Sequence, residues 1–175
     1  FSFFCGHCYR FEPLVQKLAK SLPAGIELEK NHVDFVQAAS PDVQNAMIRG
    51  YLVGKAAGKG DEIASLIFHY IHETRGSFTS TDDIRSLMLI NNFDAQLFDS
   101  KFNSIPVLSA AEQMKAQQTH WSSIPLPSDA KTTVLAGVPM LLVNGKYQVK
   151  LAALDAKNVD KELAELVTYL LNKKD

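Results

Sequence analysis

Cys5 and Cys8 are the two cysteines of the chain, separated by Gly6 and His7. Thiols at this spacing serve three common chemistries: a redox-active disulfide, half of a zinc site, or a structural crosslink. A second half-site for zinc would have to be His69 and His72. Two residues separate these histidines where finger sites use about three to five, and the pair lies far along the chain from the cysteines. A crosslink closing so short a loop would restrain the unfolded chain little. Redox chemistry is therefore the favoured reading, and neither a metal nor a cofactor is expected. An apolar run, Phe1 to Phe4, leads into Cys5, and a helical pattern follows it, so Cys5 is expected where a strand ends and a helix begins. Unpaired N–H groups and the helix macrodipole favour a thiolate at that position. His7 is placed to donate to the Cys5 sulfur or, when protonated, to neutralise it, while Cys8 lies one turn on and can close the ring.

The elements that must hold these residues follow from periodicity. Phe11, Leu14, Val15, Leu18 and Leu22 recur at helical spacing, Pro13 kinks that helix, and Pro23-Ala24-Gly25 stops it. Ile26 to Phe35 alternates loosely enough to read as one strand. Strand, helix, strand is the context in which Cys-x-x-Cys is informative. From there the pattern is helical: Ser40 caps a helix bearing Val43, Ala46, Met47, Gly50 and Tyr51, and Gly58 with Gly60 breaks it. Asp61 is expected to cap the next helix, and Ser80 with Asp83 has capping-box spacing. Pro106 opens a further helix toward Gln118. Residues 119–136 are expected to form an irregular loop near the active face, with Trp121, Ile124 and Leu126 as apolar surface for a partner. After Gly137-Val138-Pro139, Met140 to Val143 and Lys146 to Val149 form a hairpin about Asn144-Gly145. Asn158 or Asp160 caps a last helix that ends in Lys173 and Lys174. The predicted division is 1–36, an inserted helical domain at 37–118, and 119–175.

Composition narrows the function. At 175 residues, 46% apolar and net charge −1, the chain buries a substantial core. It lacks the basic excess that holds phosphates, so nucleic acid is not an expected partner. No apolar run reaches the roughly 18 residues that a membrane span needs. Because Phe1 already lies within a strand, an upstream segment is expected to precede it.

Phe3-Phe4-Cys5-Gly6-His7-Cys8-Tyr9, then Gly137-Val138-Pro139, then Val143-Asn144-Gly145-Lys146-Tyr147 together resemble the bacterial periplasmic thiol oxidases of the DsbA family. The resemblance spans nearly the whole chain. It implies an α/β, thioredoxin-like fold with an inserted all-helical domain. It further implies that Cys5 is the nucleophile, Cys8 the buried resolving partner, Pro139 a cis-proline facing the disulfide, and Val138 a backbone partner for an extended substrate. The implied activity is donation of the Cys5–Cys8 disulfide to reduced, folding secreted proteins in the periplasm. The implied partner is a DsbB-type membrane quinone reductase, and the protein is expected to act as a monomer. Gly6-His7 stands where the family more often has Pro-His, and Gly-His also occurs in disulfide isomerases. An isomerase or reductase is the redox alternative, and a thioredoxin-like peptide-binding module is the alternative from another class.

Overall fold

Local signals set most element boundaries in the computed structural model, which describes residues 1–36 and 38–173. Helix α1 (Gly6–Ser21) begins directly after Cys5, whose extended backbone makes it the N-cap, and it absorbs Pro13 within its length. The Ile26 to Phe35 stretch does not form the regular strand its alternation suggests. It pairs with the chain start through one rung: the Phe1 N–H donates to the Asn31 carbonyl at 2.9 Å and the Val33 N–H to the Phe1 carbonyl at 2.8 Å. One residue bonding to both neighbours of its opposite is the parallel pattern. The ladder stops there because the next donor, the Phe3 N–H, turns to the His32 ring, whose Nε2 accepts it at 3.0 Å.

The helical lobe follows. Helix α2 (Pro41–Ala56) is capped by Ser40, whose hydroxyl accepts the Val43 N–H, and Gly58 takes φ +72° just past its end. Two glycines inside α2 are there for close packing: a Cβ at Gly50 would lie 2.2 Å from the Ile84 side chain, and one at Gly54 2.5 Å from that of Ile63. In α3 (Gly60–His72), Lys59 rather than Asp61 occupies the N-cap. Asp61 sits in the first turn, where its carboxylate accepts from Lys30 at 3.2 Å. Ahead of α4 (Asp83–Ile90), half of the expected capping box forms. Asp83 accepts the Ser80 N–H at 2.9 Å, while the Ser80 hydroxyl accepts the Asp82 N–H instead of that of Asp83. Asp94 caps α5 (Ala95–Phe102) through the Leu97 N–H.

Residues 119–136 depart from expectation. Helix α6 runs from Ile105 to Ser123, past Gln118, and a short antiparallel pair follows, β1 (Pro125–Leu126) with β2 (Asp129–Thr133). The helix continues because Trp121 has partners: its Nε1 donates to Gln117 at 3.0 Å, and its ring lies against the turn at Gly145. Trp121 is thus half-buried packing surface. The predicted hairpin is present as β3 (Leu142–Val143) and β4 (Tyr147–Gln148). Asn144 and Gly145 both take positive φ, 54° and 63°, as a two-residue turn of matching twist requires. Helix α7 (Val159–Asn172) starts after Asn158 without a side-chain cap, and it packs on α1. Lys174 lies outside the described residues.

Two apolar cores result. The larger joins the helical lobe to Phe3 and Cys8, around Met47, Val53, Ile67, Phe68, Met88 and Phe98. The smaller contains Leu18, Val143, Val149, Leu163 and Val167. Helix α1 contributes to both. Helices α2 to α6 thus stand between the two parts of an α/β unit formed by the chain's ends, the layout expected of an inserted helical lobe.

Candidate active site

The site begins with the turn that ends the opening apolar run. The Cys5 N–H donates to the Ser2 carbonyl at 3.1 Å, which swings the chain so that Cys5 caps α1. Both cysteines are free thiols, Cys5 half-buried and Cys8 buried. The Cys8 N–H donates to the Cys5 sulfur at 3.2 Å, so an unpaired donor of the first helical turn points at the sulfur that would hold negative charge. Burial pushes the Cys8 thiol up to about 12, with its hydrogen bond to Cys5 adding to the rise. The pair is therefore asymmetric: one sulfur faces outward against a helix N-terminus, and the other is sealed and holds its proton.

Val138 and Pro139 lie against this pair. The Val138–Pro139 peptide is cis, and the Cys5 thiol donates to the Val138 carbonyl at 3.5 Å. The chain thus returns to Cys5 across 133 positions. Pro139 and His7 also border an open groove of about 790 Å³, floored by Phe11, Met140, Val149 and Leu151. All five residues proposed from the sequence, Cys5, His7, Cys8, Val138 and Pro139, come together here.

His7 is exposed, and its hydrogen bond goes to Arg10 rather than to the sulfur: Arg10 Nη2 and His7 Nδ1 are 2.9 Å apart. A guanidinium only donates, so Nδ1 accepts and the ring proton sits on Nε2. Arg10 stands one turn after His7, and that spacing was the available signal for it. Tyr9 stacks on His72 at 5.0 Å and donates to Glu73. His72, read from the sequence as half of a possible metal pair, is hydrogen-bonded to the Phe3 carbonyl at 2.8 Å. His69 and His72 share α3, yet among the described residues no group of three or more His, Cys, Asp or Glu is arranged to hold a metal.

Glu12 is a residue the sequence reading missed. It is buried on α1, it shares with Cys8 the lining of a cavity of about 350 Å³, and it pairs with Lys30. Gln16 donates to the same carboxylate at 2.8 Å. The signal was its spacing: Glu12 follows Cys8 by four, which puts it on the buried face of the helix. His32 was missed as well. It is fully buried, and burial lowers its imidazole to about 3, so the ring is a neutral acceptor for the Phe3 N–H two residues ahead of Cys5.

The chain matches the family model described as DSBA-like thioredoxin domain over residues 1–166. It is 32% identical to the thiol:disulfide interchange protein DsbA of Escherichia coli over 181 residues, covering 99% of this chain and 79% of that protein. The DsbA of Pectobacterium carotovorum is 33% identical over the same shares. Among solved structures, a cysteine-to-serine variant of Proteus mirabilis DsbA aligns with a TM-score of 0.80 at 29% identity, over 98% of this chain and 86% of that one. That structure holds a non-covalently bound peptide, PWATCDS. The fold is shared equally with Klebsiella pneumoniae DsbA, at a TM-score of 0.80 and 24% identity.

Proposed function

We propose, from the premise that this chain belongs to the DSBA-like thioredoxin family and is a protein thiol:disulfide oxidoreductase, that it works as a dithiol oxidase with Cys5 as the exchanging sulfur. In the oxidised form a client thiolate attacks the Cys5 sulfur, forming a client–Cys5 bond and breaking the Cys5–Cys8 bond. Cys8 leaves with the electron pair and takes up a proton, which its buried position favours. A second client thiolate then attacks the client sulfur of the mixed disulfide and releases Cys5 as thiolate. The client loses two electrons and gains a disulfide, and the protein ends as the dithiol. The Cys8 N–H and the helix N-terminus stabilise the departing Cys5 thiolate. His7, in the first turn of α1, lines the groove beside the pair. Val138 offers its backbone to an extended client strand, with Pro139 shaping the wall behind the sulfurs. A cysteine-bearing peptide bound to the Proteus mirabilis relative supports a client of this form.

The observation that carries this reading is the asymmetry of the two thiols, one capped by a helix and open, the other sealed. Such chemistry fits an oxidising compartment, here the periplasm, with clients among reduced secreted proteins and a DsbB-type membrane quinone reductase restoring the disulfide. A monomer suffices, since all five site residues come from one chain. The test is trapping. The Cys8→Ala variant, activated at Cys5, should accumulate a reducible adduct with a reduced cysteine peptide, and the Cys5→Ala variant none. Adducts forming equally well at Cys8 would overturn the assignment.

A further inference from the structure

The groove beside His7 and Pro139 is apolar at its floor, but its charged lining is of one sign. Arg10 and Lys150 are the formally charged residues that line it, and no carboxylate does. Arg10 bonds to a ring nitrogen, and neither Arg10 nor Lys150 makes an ion pair among the described residues. Of the carboxylates next along the chain, Asp160 pairs with Lys17 at 2.5 Å, while Asp155 and Glu162 accept from neutral donors and lie outside the groove lining. Glu73, which accepts from the Tyr9 hydroxyl, also lies outside the groove lining. The groove lining itself thus carries two cations and no carboxylate on a chain of net charge −1.

Resting on the redox reading above, we propose that this groove selects reduced segments that place a carboxylate beside apolar side chains within a few residues of the reacting cysteine. Phe11, Met140, Val149 and Leu151 offer cover for the apolar side chains. Arg10, at the sulfur end, meets a carboxylate close to the cysteine. Lys150, beside the Val149–Leu151 edge, meets one further away. A lysine at either place meets a like charge, so basic clients are disfavoured as well as acidic ones favoured. Both cations are exposed, so the preference appears chiefly in association rate and weakens with salt.

The test uses the oxidised full chain and two reduced peptides of one sequence, with a leucine beside the cysteine, differing only in glutamate or lysine at the flanking positions. At low salt the glutamate peptide should be oxidised roughly 3- to 10-fold faster, the range expected of two exposed charge pairs. The ratio should approach one at about 0.5 M salt, where the Debye length falls to a few Å. Arg10→Gln and Lys150→Gln should each reduce the ratio, and the double variant Arg10→Glu, Lys150→Glu should invert it. Equal rates for the two peptides on the parent chain, or a ratio that survives the double reversal, would overturn the selection. If the parent oxidises neither peptide, the redox reading itself falls, and the selection with it.

Discussion

The two cores differ in composition and in what they support. The larger is built from rings and long side chains, with Phe3, Tyr51, Phe68, Phe93 and Phe98 buried together, and Cys8 belongs to it. The smaller is aliphatic, with Leu18, Val143, Val149, Leu163 and Val167, and it underlies the groove through Val149. Phe68 touches Phe3 at 5.0 Å and Tyr9 at 5.9 Å between ring centres, so the helical lobe reaches to within two residues of Cys5. The sulfur chemistry is thus anchored to the inserted lobe. The surface that a client would meet rests on the thioredoxin half.

Separate truncations of each core test that division. Phe68→Ala should cost about 3–5 kcal/mol of unfolding free energy in urea, and Leu163→Ala about 2–5 kcal/mol. The discriminating quantity is the glutathione equilibrium of the folded protein. Phe68→Ala should shift it through Phe3 and Tyr9, whereas Leu163→Ala should leave it where it was. Equal shifts from both would erase the distinction between the cores.

A smaller effect is expected from pH. His32 contacts the rings of Phe1 and Phe3 and is held neutral by burial. In the unfolded chain it titrates near 6.5, in the fold near 3. The unfolded state therefore binds the extra proton, and the stabilising contribution is full above about pH 6.5 and is lost progressively as pH falls toward 3. Between pH 7 and pH 5 this amounts to about 2 kcal/mol at 1.36 kcal/mol per unit. His32→Gln keeps an acceptor for the Phe3 N–H and cannot titrate, so its urea midpoint should fall less than the parent's over that interval. Parallel pH profiles would count against His32 as the source.

The smallest change concerns the α2–α3 contact. Alanine is the better helix former by about 1 kcal/mol, yet Gly54→Ala places a methyl where Ile63 already stands, and overpacking costs about 1–3 kcal/mol. A net loss of up to about 2 kcal/mol is expected from thermal unfolding. A stabilised variant would show that the larger core is looser than its geometry indicates.

Much of this was legible in the sequence because the signals were local. Cys5 ahead of a helical period, Ser40 before Pro41, and Asn144-Gly145 between apolar runs each act within a few residues. The missed features depend on distant partners. Asp61 gave up capping for Lys30, α6 outran Gln118 because Trp121 found Gly145, and the 26–35 stretch lost its ladder to the His32 ring. Arg10 and Glu12 follow Cys8 on one helix, but the burial of Glu12 depends on Lys30, eighteen positions on.

Helix α1 belongs to both cores, and its outer end is tied to α7 through Lys17 and Asp160, 143 positions apart. Its second face takes Val143 and Val149 from the hairpin and Leu163 and Val167 from α7, all of them far along the chain. Closing so distant a contact is slow relative to forming the local helices of the lobe. The second face of the cysteine helix is therefore covered only by elements far along the chain from it. A chain stopped short of α7 would keep most of the groove lining but lose Val159 from it, and Leu163 and Val167 from the core beneath Val149.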